Sequence, residues 1–238
     1  MSATRTQFAA EAVAYHGSLA NEWESRYRKR SFQMRRRVLE ECTQGRNLAG
    51  TLWLDAGCGT GTLSRWLAAR GCSVLGVDAA PEMIAAANQS IRPEEHYDRL
   101  SFVRVSTVTR LALDDRSLDG ILCSSVLEYL PDPGACLTEF ARVLKPQGLL
   151  LISVPNRNSL ARRLQHACHQ LSGLLGKSWC TFLDYSRHQY TAHEFHRLLV
   201  HAGFSGEKVV PFGGPLPRLA QQSRHWAPLL MFVARKLA

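Results

Sequence analysis

The 238-residue chain has no long apolar run: its longest stretch free of Asp, Glu, Lys and Arg is the thirteen residues Leu164–Gly176, two of them histidines. A bilayer-spanning helix needs about 20 predominantly apolar residues, so a helical integral membrane protein is excluded. The N-terminal stretch is interrupted by Arg5 and Glu11 and has no apolar centre, so no secretion signal is expected. The seven cysteines, Cys42, Cys58, Cys72, Cys123, Cys136, Cys168 and Cys180, contain no CxxC pair and no regular spacing. That argues against a zinc site or a disulfide framework, and for buried free thiols in a reducing cytoplasm. Internal repeats and low-complexity segments are also absent.

With 45% apolar and 21% charged residues, the chain suffices for one compact α/β domain with decorations or two very small domains. Its formal charge of +9 is unevenly spread. Residues 1–49 carry nine Lys/Arg against five acids, residues 50–156 nine against twelve, and residues 157–238 eleven against three. Attraction for negative partners therefore resides in the N-terminal arm and the C-terminal third.

Thr51–Asp55 is a short apolar run entering a glycine cluster, and Thr62–Ala69 sets Leu63, Trp66 and Leu67 on one helical face. That reads as strand, tight turn, helix. Ser73–Asp78 predicts a second strand, and Pro81 opens a helix that runs to Gln89, proline being favoured in a first turn. Ser101–Val105 and Leu118–Cys123 follow as strands, Pro133–Leu144 as a helix closed by Lys145–Gly148, and Leu149–Val154 as a strand apolar on both faces. Such strands alternating with helices describe a parallel sheet covered on both sides. Residues 156–189 break the rhythm and read as an insertion with a helix near Ser159–Leu174, of the kind that covers sites. Thr191–Ala202 is a capped helix, and Glu207–Phe212 and Leu229–Ala234 are the last strands.

Asp55-Ala-Gly57-Cys58-Gly59-Thr-Gly61 lies where the first strand turns into a helix. Glycines there either tighten the connection or let a ligand approach the backbone. The second strand ends in Asp78, twenty-three residues after Asp55, placed to accept hydrogen bonds from two ribose hydroxyls or else to cap the next helix. A dinucleotide fingerprint requires glycine where Thr62 stands, which disfavours a nicotinamide dehydrogenase. An acid at Asp55 would repel phosphate and suits a cationic amino group, the profile of S-adenosylmethionine.

On these residues LDAGCGTG resembles motif I of the class I, seven-stranded Rossmann-like S-adenosylmethionine-dependent methyltransferases. The likeness continues through VLGVDAAPEMIAAAN, LALDDRSLDGILCSSVLEYLPDP, FARVLKPQGLLLISVPN and RHQYTAHEFHRLLVHAGF, roughly residues 50–210. LEYLPDP and VPNRN are most similar to the ubiquinone-biosynthesis O-methyltransferase branch and its small-molecule relatives. The resemblance implies that Gly57, Cys58, Gly59 and Gly61 line the methionine and ribose side, with Asp55 near the amino group and Asp78 and Ala79 at the ribose. Met83 would pack the adenine, unless it is simply core. Many relatives have an acid at Ser106 or Thr107; here a hydroxyl stands there, and backbone contacts replace the acid. Cys123 would face the sulfonium by position, or is an ordinary buried thiol.

The branch carries two acids and a histidine after its fourth strand as a divalent-metal site, and the matching positions here are Ser125, Glu128 and Tyr129. One acid remains, so the expectation is no metal and metal-independent turnover. Glu128, Tyr129 and His188 are the catalytic candidates, His188 as proton acceptor because imidazole titrates near neutrality. The bland alternatives are a helix-terminal hydrogen bond for Glu128 and a surface position for His188.

Asn21–Glu41 has Trp23, Tyr27, Met34 and Val38 at helical spacing among basic residues, either a lid over the cofactor or a solvated helix with a narrow buried seam. Tyr27, Arg36 and Arg37 are the substrate-facing candidates from this segment. The basic arms suit an anionic small molecule, an acidic carrier protein or peripheral contact with an anionic membrane. No NPPY-like tetrapeptide, Pro-Cys pair or RNA-binding appendage is present, so nucleic acid is disfavoured as a substrate.

The expected architecture is α/β, a doubly wound seven-stranded sheet in the order 3-2-1-4-5-7-6 with the last strand antiparallel. An N-terminal helical lid (1–49) precedes a methyltransferase domain (50–238). The expected activity is O-methylation of a small-molecule acceptor, with nitrogen or carbon acceptors also open. A cofactor-binding partner protein without turnover and a nucleic-acid methyltransferase are the alternatives.

Overall fold

Strand β1, Leu52–Ala56, occupies the middle of the sheet in a computed structural model of the chain, which describes residues 2–26, 30–91, 97–177, 179–214, 223 and 225–238. The other strands are β2 (Ser73–Asp78), β3 (Leu100–Arg104), β4 (Leu118–Ser124), β5 (Leu144–Pro155), β6 (Phe204–Phe212) and β7 (Leu229–Lys236). Their spatial order is β3-β2-β1-β4-β5-β7-β6, parallel except for β7, which runs antiparallel to both β5 and β6. This is the expected doubly wound topology. It reverses direction between β1 and β4, so their C-terminal ends open a crevice where ligands bind in such sheets.

Eight α-helices flank the sheet among the described residues: α1 (Ser2–Ser18), α2 (Ala20–Arg26), α3 (Arg30–Thr43), α4 (Thr62–Ala68), α5 (Pro81–Gln89), α6 (Pro133–Val143), α7 (Leu160–Leu174) and α8 (Ala192–His201). Successive strand residues alternate between two cores because side chains in a strand point to opposite faces. Leu122 and Leu151 enter the core with Val38, Trp66 and Leu67, whereas Ile121, Cys123 and Ile152 enter the one with Phe140, Phe195 and Leu199. Both faces are sealed by helices, which is why the central strands tolerate no polar face.

The structure revises three boundaries. Asn21–Glu41 is two helices, α2 and α3, and α1 precedes them over a stretch whose scattered alanines show no helical stripe. Lys145–Gly148 does not close a helix by a turn but belongs to β5. There the pairing with β4 shifts register between Leu118 and Gly120, and Gln147 takes φ 64°, so the extra residues bulge out of the ladder. β6 begins at Phe204, whose buried ring extends the strand beyond the exposed Ser205–Lys208.

Gly120 is required by packing. It sits opposite Trp53 in the β1–β4 register, and a Cβ there would overlap the buried indole. Gly120→Ala is therefore expected to destabilise the protein by about 1–3 kcal/mol through overpacking. Urea denaturation would show this as a lower midpoint at unchanged slope, and an unshifted midpoint would contradict it.

Candidate active site

The chain leaves β1 through the glycine cluster with Gly57, Gly59 and Gly61 at φ 73°, 53° and 74°, a left-handed backbone that residues with a Cβ adopt at a cost. Gly57 and Cys58 both donate their N–H to Val77 O, at 2.8 and 3.0 Å, so the turn is pinned to the end of β2. A Cβ on Gly57 would strike Val126, and one on Gly61 would strike the Phe102 ring. Close approach at these two positions thus serves the protein's own packing as well as any ligand.

Two carboxyls stand at the ends of β1 and β2. Asp78 Oδ2 accepts from Gly59 N and its Oδ1 from Ala80 N, both at 2.9 Å. The N-cap of α5 is Ala80, so Asp78 braces the glycine turn rather than capping the helix. Each of its oxygens retains a further acceptor site. Asp55 is 1% exposed and accepts from Ser64 Oγ at 2.6 Å. Burial pushes its carboxyl up to about 7, with the negative neighbour Asp78 adding to the rise and the Ser64 bonds opposing it.

These groups open into a cavity of about 540 Å³. Asp55, Gly57, Cys58 and Gly59 form one part of its wall; Asp78, Ala79, Met83, Ser106 and Thr107 continue it. Met83 is both wall and core, packed with Ala20 and Ala80. Helix α1 roofs this end. Its His16 donates from Nδ1 to Ala12 O at 2.7 Å, which leaves Nε2 bare in the neutral ring, and burial holds its acid constant below the usual value. The His16 ring meets Tyr129 edge-on at 4.5 Å, and Tyr15 bonds Thr181 at 2.8 Å and stacks on Tyr185. The roof is therefore tied to the 156–189 insertion on its far side.

The opposite end of the cavity is lined by Arg35, Ser125, Glu128, Arg162, Gln165 and Phe182. Arg35 donates to Ser124 Oγ at 2.9 Å and Ser125 Oγ at 3.0 Å. Ser125 has φ 59°, a strained geometry for a residue with a Cβ, and is held by its N–H on Ser153 Oγ at 3.0 Å. Glu128, in a one-turn 3-10 segment (Leu127–Tyr129), is buried with Oε2 unpartnered. Burial pushes its carboxyl up to about 7, partly offset by Arg162 and Arg35. Burial likewise pushes the Tyr129 hydroxyl up.

Several expected residues lie elsewhere. His188 is not in the cavity wall: its Nε2 donates to Leu130 O at 3.0 Å and its ring stacks near Tyr190, so it pins a loop. Cys123 faces the α6–α8 core, because the alternation of β4 sends Ser124 toward the cavity and Cys123 away from it. Gly61 lies under Phe102 rather than on the cavity. Arg36 and Arg37 face solvent, and Arg35, one position earlier on α3, is the arginine that reaches inward. Tyr27 lies outside the described residues. His16, Arg35 and Gln165 line the cavity without having been singled out from the sequence, whereas Trp23 belongs to the helical stripe read over Asn21–Glu41 and Arg162 to the basic residues of the insertion. Arg162 carried a usable signal, a cation in the first turn of a helix, where it opposes the helix dipole.

Among known proteins, a methyltransferase domain family matches residues 54–152. The chain is 29% identical over 168 residues to the ubiquinone biosynthesis O-methyltransferase of Psychrobacter arcticus, covering 68% of this chain and 62% of that one. It is 39% identical over 116 residues to the enzyme of the same name from Xanthomonas oryzae pv. oryzae, covering 48% and 47%. The matched region thus spans roughly half to three fifths of these relatives' length. Among solved structures, magnesium protoporphyrin IX methyltransferase from Synechocystis PCC 6803 with bound SAH has a TM-score of 0.65 at 21% identity, covering 87% of this chain and 84% of that one. An S-adenosylmethionine dependent methyltransferase from Mesorhizobium loti has a TM-score of 0.63 at 21% identity, covering 84% and 96%.

The buried Glu128 makes stability depend on pH. Its folded-state acid constant lies above the ordinary value of 4.5, so its contribution is fully present below about pH 4.5 and is lost as pH rises through about 7. Glu128→Gln is therefore expected to stabilise the ligand-free protein at pH 8 by on the order of 3 kcal/mol, with the gain vanishing near pH 4.5. Paired denaturant titrations at the two pH values test this; a gain of the same size at both would contradict it.

Proposed function

From a chain that carries a methyltransferase domain on the class I S-adenosylmethionine-dependent fold, we propose a methyltransferase acting on a hydroxyl oxygen of a small-molecule acceptor. The observation that carries this reading is the lining of the cavity, with Asp55 and Asp78 beside the glycine turn at one end, Arg26 near them, and Arg35, Glu128 and Arg162 at the other. The first end suits S-adenosylmethionine: Asp55 would face the amino group, the free acceptor sites of Asp78 the ribose hydroxyls, and Met83 with Ala79 the adenine. When bound, that group supplies an electrophilic methyl carbon on a positively charged sulfur, which the acceptor oxygen takes as it gives up its proton.

What remains for the chain is to align the acceptor, exclude water and receive the proton. Glu128 suits the last task, since a carboxyl titrating near 7 is a competent base at neutral pH. Arg35 holds Ser124 and Ser125 at the strained end of β4 and so positions the loop that carries Glu128. Helices α1 and α2, with the insertion, act as the lid, His16 and Trp23 covering the cofactor end. The reading requires no metal ion.

Binding should couple to a proton. A cationic amino group stabilises ionised Asp55, so the cofactor displaces its proton and affinity rises with pH through about 7. Calorimetry at pH 6.5 with S-adenosylmethionine, in buffers of different ionisation enthalpy, should register proton release that Asp55→Asn abolishes; heats that follow no buffer dependence would contradict the assignment. In a labelled-methyl assay on a small-molecule extract, Glu128→Gln should lower turnover about 100-fold or more at unchanged cofactor affinity.

An anionic membrane surface is the partner that the outside of α7 supports. Leu160, Leu164, Leu171, Leu174 and Leu175 form one solvent-facing stripe, Leu174 84% exposed, with Trp179 beside them at 53%. Arg163 and Lys177 are exposed at the two ends of this segment. An apolar stripe flanked by cations lies flat in a lipid headgroup region. Among the described residues no helix is long and apolar enough to cross a membrane. Phosphatidylglycerol vesicles should sediment the protein, and Leu171→Asp with Leu174→Asp should cut the bound fraction at least about fivefold. Equal binding by the double variant would exclude this surface.

A further inference from the structure

The acceptor end of the cavity contains three polar atoms that are buried and lack any hydrogen-bond partner: Glu128 Oε2, Arg162 Nε and Gln165 Oε1. Native proteins seldom leave such atoms unpaired, and three on one cavity wall mark where a polar ligand completes the bonding. Arg162 is the most demanding. It is 5% exposed, donates from Nη2 to Ser186 Oγ at 2.9 Å, and sets its guanidinium 5.2 Å from the Phe182 ring centre. Among the described residues no carboxylate forms an ion pair with it. A buried cation that no carboxylate pairs with directly is unfavourable, and its position in the first turn of α7 sets it against the helix dipole as well.

Among the described residues, Glu128 is the carboxyl that faces Arg162 in this space, and it lies outside ion-pair distance of it. An anionic ligand group at Arg162 Nε would supply the direct pairing that this cation lacks. Around the charged groups the wall is apolar, with Leu130, Pro131, Phe182, Pro228 and Leu229. A ligand that satisfies all of this presents an anionic group to Arg162 Nε, a hydrogen-bond donor to Glu128 and an apolar body to the remaining wall.

We infer that the methyl acceptor is a small hydroxylated organic carboxylate, its carboxylate held by Arg162 and its hydroxyl directed to Glu128. The inference rests on the methyltransferase reading for the word acceptor, but the anion subsite stands on the unpaired atoms alone. Arg162 is a binding residue here and forms no part of the cofactor end.

Benzoate, benzamide and phenyl phosphate, titrated into the protein with and without S-adenosylhomocysteine, test the subsite. Benzoate should bind at least tenfold more tightly than benzamide, as read by calorimetry or thermal shift. Arg162→Gln should erase that preference while leaving S-adenosylhomocysteine affinity within twofold, and Arg162→Lys should restore part of it. Glu128→Gln should hold benzoate as well as the parent or better, because an opposing charge is gone; a merely structural Arg162 would not yield that pattern. Benzoate binding no better than benzamide, or a preference that survives Arg162→Gln, would overturn the inference. A tenfold preference for phenyl phosphate over benzoate would also overturn it, in favour of a phosphorylated acceptor. Failure of S-adenosylhomocysteine to bind would instead refute the cofactor reading, and the arm without it would still decide the anion subsite.

Discussion

Two carboxyl groups at the C-terminal ends of neighbouring parallel strands, one fully and one partly buried, are the constraint around which this molecule is arranged. Asp55 is the penultimate residue of β1 and Asp78 the last of β2, and the β1–β2 register sets the two strand ends side by side at the glycine turn. Each costs desolvation free energy in the folded chain, which burial expresses as a raised acid constant for both. The protein supplies partial compensation through Ser64 on one carboxyl and the Gly59 and Ala80 N–H groups on the other. The rest is left for a ligand with positive charge and hydroxyl donors.

Charged residues of both signs line the cavity, Asp55, Asp78 and Arg26 near the glycine turn and the His16 roof, and Glu128 with Arg35 and Arg162 beyond the end of β4. The ends of β1 and β2, from the acidic middle of the chain, supply Asp55 and Asp78. Arg35 of α3 and Arg162 of α7, from the basic flanking thirds, reach into the cavity. Glu128 and Tyr129 line the cavity with these basic residues, and the Tyr129 ring meets the His16 roof edge-on. The roof is fastened at Tyr15 to the insertion. The roof and the insertion wall of the cavity consequently share one set of contacts.

The strand–turn–helix around Gly57, Gly59 and Gly61 was legible because positive φ at three alternate positions admits little besides glycine, and the end of the second strand because the apolar run stops at Asp78. The sheet order followed from the same alternation of short apolar strands and helices. Helix α1 was not legible: alanine-rich, it has no stripe that distinguishes one face, and it is held by contacts to α5 and to Thr181 that lie far away in sequence. The identity of the inward arginine on α3 was missed for a related reason. Three consecutive arginines are equivalent in a sequence, and only the packing of Met34 and Val38 rotates the helix so that Arg35 faces Ser124 while Arg36 and Arg37 face water.

The sequence by itself determined the fold class, the glycine turn, Asp55 and Asp78, because these depend on local backbone geometry and on hydrophobic period. Tertiary structure alone decided that His188 serves a loop carbonyl, that Cys123 turns into the core, and that Glu128, Arg162 and Gln165 converge. Those outcomes depend on which face of a strand or helix points inward and on which distant segment meets it, and neither is encoded in the spacing of residues along one element.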